Sequence, residues 1–229
     1  MTLGAVLMLL VVHQLWWTNR EAQASARRQV AELEREWGGA PRRPSYEPLP
    51  PRQMGTEHRS VVEESPSGAP SAPPSPGPRR DLAYAVLRIP RLGVTAPVAE
   101  GIGKKGVLDK GYVGHYPRTA QPGRAGNVAL AGHRNTHGEP FRRLDRLRPG
   151  DTVRIDTAEA RYTYVVERTL PQTTPGDGTV LARIPYSSVH PGHRYTGPGY
   201  YLTLTTCTPE YTSTYRLVVW GRLARAEPR

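Results

Sequence analysis

Cysteine occurs once in the 229 residues, and so does phenylalanine. The lone thiol, Cys207, excludes an intrachain disulfide, a CxxC redox pair and a multi-cysteine zinc site. No HExxH pattern is present, and the pair His133 and His137 stands in a segment that reads as strand and loop rather than helix, so no metal is expected. Helix-turn-helix, zinc-finger and RNA-binding signatures are also missing, and the positive charges are spread along the chain. The net charge of +11 therefore reads as a solvated basic surface, with no nucleic-acid partner. Long helical patterns are scarce as well. With 23 Gly and 24 Pro, much of the chain must be turn or unpacked linker, which excludes an all-helical protein.

What is present falls into three zones. Residues 3–17, LGAVLMLLVVHQLWW, form an apolar run closed by two tryptophans that suit a membrane interface. At ~1.5 Å per residue it covers only ~22 Å of a ~30 Å hydrocarbon core. A span over residues 1–20 would then borrow flanking residues, or the natural chain starts upstream of Met1. Ala22-Gln23-Ala24 offers a small-x-small cleavage pattern, but no basic segment precedes the run, which favours an anchor over a signal peptide. Arg20, Arg27 and Arg28 follow the run, where the positive-inside tendency argues against an outward-facing C-terminal part.

Residues 21–37 place Val30, Leu33 and Trp37 at helical spacing, predicting a juxtamembrane helix. From 38 to 80 the chain is rich in Pro, Ser, Gly and Arg, a composition that cannot bury a core and predicts a disordered linker, so that 21–80 carries the helix and the tether. Beyond residue 80 the pattern changes to short β-branched runs at 85–89, 127–132, 152–156, 161–167, 200–206 and 215–221, separated by turn residues. That spacing predicts an all-β barrel or sandwich over 81–229. Only PFRRLDRL, 140–147, shows a helical pattern, with Phe141, Leu144 and Leu147 at i, i+3, i+6.

The strand ending TLTTC and the strand beginning TYR are joined by a short loop. If they form a hairpin turning between Tyr211 and Thr212, Cys207 lies directly opposite Arg216 and the two share a sheet face. A guanidinium beside a thiol can assist ionisation and donate to an oxyanion. Among the histidines, His13 lies in the apolar run and His58 in the linker, whereas His133 follows a strand directly and can overhang a site.

AGHRNTHGEPFRRLDRLRPGD (131–151), TLTTCTP (203–209) and TYRLVVWG (214–221) resemble, in order, the histidine, cysteine and arginine motifs of sortases. GHYPRTAQPGRAGN (114–127) is similar to the class E sortases of actinobacteria, as is LWWTN. The resemblance implies an eight-stranded sortase-type β-barrel with short helices, preceded by a membrane helix and linker. It implies Cys207 as nucleophile, His133 as its acid or base partner and Arg216 as stabiliser of oxyanion or substrate. Tyr116 then matches a residue selecting an LAxTG-type sorting signal, and Thr206 is a further candidate for the substrate wall. The implied partners are surface proteins bearing such a signal, a peptidoglycan-precursor amine and the cell membrane, with the catalytic domain outside the cell and no cofactor. Alternatives are a pilus-type sortase, another cysteine transpeptidase, or a non-catalytic wall-binding barrel.

Overall fold

Alternating short segments of Val, Ile, Leu and Thr cannot bury both faces alone, and here eight of them close into one barrel. The computed structural model describes residues 2–39 and 83–229. The strands are β1 (Ala83–Ile89), β2 (Val94–Glu100), β3 (Val113–His115), β4 (Gly126–Ala131), β5 (Thr152–Thr157), β6 (Ala160–Thr173), β7 (Tyr200–Thr208) and β8 (Tyr215–Pro228). Around the barrel they run β1-β2-β3-β4-β7-β8-β6-β5. Pairs β2–β3 and β4–β7 are parallel and the others antiparallel. Closure removes every free edge, the usual liability of a small sheet.

Leu87, Val98, Leu130, Ile155, Leu202, Leu204, Leu217 and Val219 fill the barrel interior. Each such side chain contributes about 1.5–3 kcal/mol on leaving water. The opposite face of β7 and β8 is also covered. Tyr201, Val218 and Trp220 pack under Val180 and Tyr195 of the long β6–β7 connection, so these two strands read as nearly continuous apolar runs.

Six strands fall where the turn spacing predicts them, and two do not. β2 contains Pro97, which lacks the N–H a ladder normally uses, and β3 is only three residues long. The segment PFRRLDRL holds a single 3-10 turn, Leu144–Arg146, rather than an α-helix. The i, i+3, i+6 spacing of Phe141, Leu144 and Leu147 matches three residues per turn, and all three enter the barrel core.

The N-terminal part is one uninterrupted helix, α1 (Thr2–Gly39), instead of an anchor and a separate juxtamembrane element. No helix among the described residues is long and apolar enough to cross a membrane. The apolar stretch is short, and Arg20 and Glu21 follow it within the same helix. The disordered linker expected over 38–80 lies, from residue 40 onward, outside the described residues.

The juxtamembrane portion does more than trail from the domain. Ala26, Val30 and Leu33 pack against Ala83, Val86, Ala99, Val107 and Tyr112 on the barrel wall. Polar contacts flank this seam: Arg88 pairs with Glu34, Tyr112 Oη donates to Gln29, and the Arg229 guanidinium lies 4.7 Å over the Trp37 ring. The barrel therefore sits on α1.

The β6–β7 connection is held by one carboxylate. Asp177 is 3% exposed and accepts hydrogen bonds from Thr173, Thr179, Ser187 and Ser188 hydroxyls and from the Ser188 amide. Burial alone would raise its pKa, but the donors on Ser187, Thr173, Thr179 and Ser188 outweigh burial and bring it down to about 2. A depressed carboxyl stabilises the fold above its unfolded value near ~3.9, and that contribution is lost as pH falls through the folded value. Asp177→Asn should thus lower the unfolding free energy by about 2 kcal/mol at pH 6. The gap to the wild type, measured by urea titration, should shrink between pH ~4 and pH ~2. A gap that stays constant over that window would show that the charge contributes nothing.

Candidate active site

Strand register brings distant residues into one row. β4 runs parallel to β7 with Gly126 opposite Tyr200 and Ala131 opposite Thr205. Continued two residues, this register sets His133 beside Cys207, and the Gly132 amide, donating to the Thr205 carbonyl at 3.2 Å, keeps the chains paired beyond the end of β4. On the other side of β7, Arg216 of β8 faces Cys207, as the simple hairpin requires. Beyond it, Thr173 of β6 faces Arg216. Directly opposed residues project from the same face, so Cys207, Arg216 and Thr173 line up across β7, β8 and β6, and the segment leaving β4 carries His133 toward the end of that row.

Alternation decides which face that is. Leu202 and Leu204 point into the barrel, so Thr205 and Cys207 point outward. Cys207 is thereby a half-buried thiol on the outer wall of the barrel. Thr206 points the other way: it is 3% exposed, and its hydroxyl donates to the Gly132 carbonyl at 2.8 Å. Tyr116 lies on the same outer surface, its hydroxyl 3.0 Å from Thr205 Oγ1 and its amide bonded to Ala129 of β4.

The partners of these groups include residues without a recognisable motif. His133 Nε2 lies 2.9 Å from Asp109 Oδ1, in the 3-10 turn Leu108–Lys110. Arg134 is almost fully buried, and its guanidinium donates to the Cys207 carbonyl at 3.2 Å and to Thr208 Oγ1 at 2.9 Å. Arg142 ties the same loop to the β7–β8 connection through Glu210 and Tyr211. Arg216 donates from one terminal nitrogen to the Ser213 and Tyr215 carbonyls, which fixes the guanidinium by the hairpin turn. Arg134 thus fixes the backbone of the residue that carries the thiol, and Arg216 stands opposite that residue on the neighbouring strand.

The arrangement can support nucleophilic chemistry at a carbonyl: a thiol, an imidazole held by a carboxylate and fixed cationic donors. Of the residues expected from sequence, Cys207 and Arg216 face each other across β7 and β8, His133 lies two residues past the end of β4, Tyr116 bonds Thr205, and Thr206 is turned inward. Asp109 and Arg134 were not foreseen. Asp109 lies 24 residues upstream of His133 in a turn with no pattern, and the only hint of Arg134 was its position next to His133.

A family profile for the sortase domain matches residues 87–224. Sortase SrtE1 of Streptomyces coelicolor is 40% identical over 234 residues, which take in 100% of this chain and 56% of that protein. The chain thus spans little more than half the length of that relative. A crystal structure of Sortase E1 from Streptomyces coelicolor with a tripeptide in the active site is 49% identical at a TM-score of 0.60, covering 64% of this chain and 91% of that one. Sortase E from Streptomyces avermitilis is 41% identical at a TM-score of 0.55, covering 64% and 90%.

The two arginines should differ in structural weight. Arg134→Ala strands a buried carbonyl and a hydroxyl, and losing charged hydrogen bonds of this kind costs on the order of 2–3 kcal/mol. Arg216→Ala removes bonds to loop carbonyls that water can replace, and should cost less than about 1 kcal/mol. Urea unfolding of both variants is the check, and equal losses would contradict this division.

Proposed function

The chain belongs to the sortase family, among its class E members, and from that premise we propose that it is a cysteine transpeptidase that joins surface proteins to a cell-wall amine. The observation that supports this reading is the pairing of Cys207 with Arg216 across β7 and β8, with His133 two residues beyond the end of β4, the strand that runs beside β7. The proposed signal is of the LAxTG type, cut between Thr and Gly.

In the first half-reaction the Cys207 sulfur, as thiolate, forms a bond to the threonine carbonyl carbon, and the electron pair moves to oxygen. Arg216 donates to this oxyanion from the N–H groups left free of the hairpin turn. Collapse breaks the C–N bond, and His133 passes a proton to the departing glycine amine. Asp109 orients the imidazole and stabilises its protonated form, as a carboxylate does for a catalytic histidine. In the second half-reaction an acceptor amine attacks the thioester, its proton returns to His133 and the thiolate leaves. No cofactor takes part in these steps.

Tyr116 is proposed as part of the signal-binding surface. Its hydroxyl is held by Thr205, two residues before the nucleophile, which presents the ring edge beside the reacting carbonyl. Membrane attachment through the start of α1, with the barrel outside the cell, is the proposed location. The apolar face of α1 from Ala26 onward is already spent on the barrel, so any anchoring must come from residues before it.

Cys207→Ala should abolish both acyl-enzyme and ligated product by mass spectrometry of reactions with LAxTG peptide and an amine. His133→Ala should lower turnover by about 10² to 10⁴. Arg216→Lys keeps the charge but loses the planar fork, and should cost about 10² to 10³ in acylation. Near-normal acylation by Arg216→Lys would remove the oxyanion role. Tyr116→Ala should reduce kcat/KM for LAxTG peptide while shifting Tm by only a few degrees. Proportionate losses in both would make Tyr116 a packing residue.

A further inference from the structure

Three metal-ligating side chains converge at the edge of the proposed site. Asp109 Oδ1 lies 2.9 Å from His133 Nε2 and 3.7 Å from His137 Nδ1, and the three atoms fall within 4.8 Å of one another. A tetrahedral zinc ion with bonds of about 2.0–2.2 Å holds neighbouring ligand atoms roughly 3.3 Å apart, so small imidazole rotations complete three corners. The fourth corner is left for water.

A hydrogen-bonding account does not use the whole cluster. Asp109 Oδ1 is bonded by His133, but His137 Nδ1 is shielded from solvent and has no hydrogen-bond partner. It points at an oxygen it does not reach. A buried nitrogen left in this way carries a cost that a shared cation would remove. The positions are also set in advance. Phe141 N donates to the His133 carbonyl, Glu139 N to the Thr136 carbonyl, and Gly138 N to Asn19 of α1. Two neutral imidazoles and a carboxylate are a donor set for zinc and similar divalent transition ions, not for calcium or magnesium.

We propose that Asp109, His133 and His137 form an inhibitory Zn2+ site. The regulatory part rests on the reading of His133 as proton donor. With Nε2 on the metal, His133 cannot form the imidazolium that hands a proton to the leaving amine and Asp109 no longer orients it, so bound zinc halts turnover reversibly and a chelator restores it. His137 has no part in transpeptidation and confers metal sensitivity alone.

The test is calorimetric titration of ZnCl2 into the metal-free full chain, alongside peptide ligation with and without zinc. One ion per chain is expected, with the same affinity in Cys207→Ala. His137→Asn suits the left-handed backbone at this position, φ 50°. It should weaken zinc by at least about tenfold, ligate at the wild-type rate without metal, and resist zinc concentrations that stop the wild type. Unchanged affinity in His137→Asn would overturn the site, as would loss of binding in Cys207→Ala, which would assign the metal to the thiol. Zinc that binds through His137 but leaves ligation unaffected would refute the inhibition and the proton-donor role of His133, while the site itself stands.

Discussion

The backbone register of β4, β7 and β8 is the constraint on which the rest of the molecule depends. Cys207 and Arg216 face each other across a local hairpin, whereas His133 is 74 positions upstream of Cys207 and approaches only because β4 pairs with β7. Side-chain period in a strand is two, so a slip of one residue in β7 would turn the thiol into the barrel and bring Thr206 out. The interior packing of Leu202 and Leu204 opposes that slip, since it would expose both. Core burial and site geometry are therefore one requirement.

Around that row the structure spends most of its buried polar interactions on fixing loops. Asp177 gathers Thr173, Thr179, Ser187 and Ser188 and thereby roots the β6–β7 connection next to the strand end facing Arg216. Arg134 fixes the backbone of Cys207 and Thr208 from the other side. A second buried cluster, His115 with Tyr84 and Thr119, closes the barrel near β3, and burial in it pushes the imidazole pKa down, against the pull of Glu100. The mobile chemistry of a thiol and an imidazole is thus framed by groups whose positions are determined several times over.

What was legible in the sequence follows from what is local. Strands with β-branched alternation and turn residues between them were visible, and so was the hairpin pairing Cys207 with Arg216, because its loop is short. β2 was hidden by Pro97 and β3 by its brevity. The parallel contact of β4 with β7 joins segments 74 positions apart in register, and no spacing rule announces it. Arg134 meets Cys207 and Thr208 beyond the end of that contact, and Asp109 meets His133 from a turn between β2 and β3, so neither was visible in the sequence. The docking of α1 was missed for a related reason: Ala26, Val30 and Leu33 announce an apolar stripe, but not the wall it meets.

The row has a further consequence for how the chain acquires its reactivity. β8, which carries Arg216, is the last strand, and β7 pairs both with it and with β4. The hairpin of β7 with β8 is local, but the pairing of β7 with β4 is distant in sequence and pays a large loop-closure cost before it is rewarded, which makes it a late event in folding. A partly folded copy can therefore hold the hairpin of Cys207 and Arg216 before β4 has brought the segment of His133 alongside. On the reading proposed above, the last part of the site to assemble is the one that needs the barrel closed.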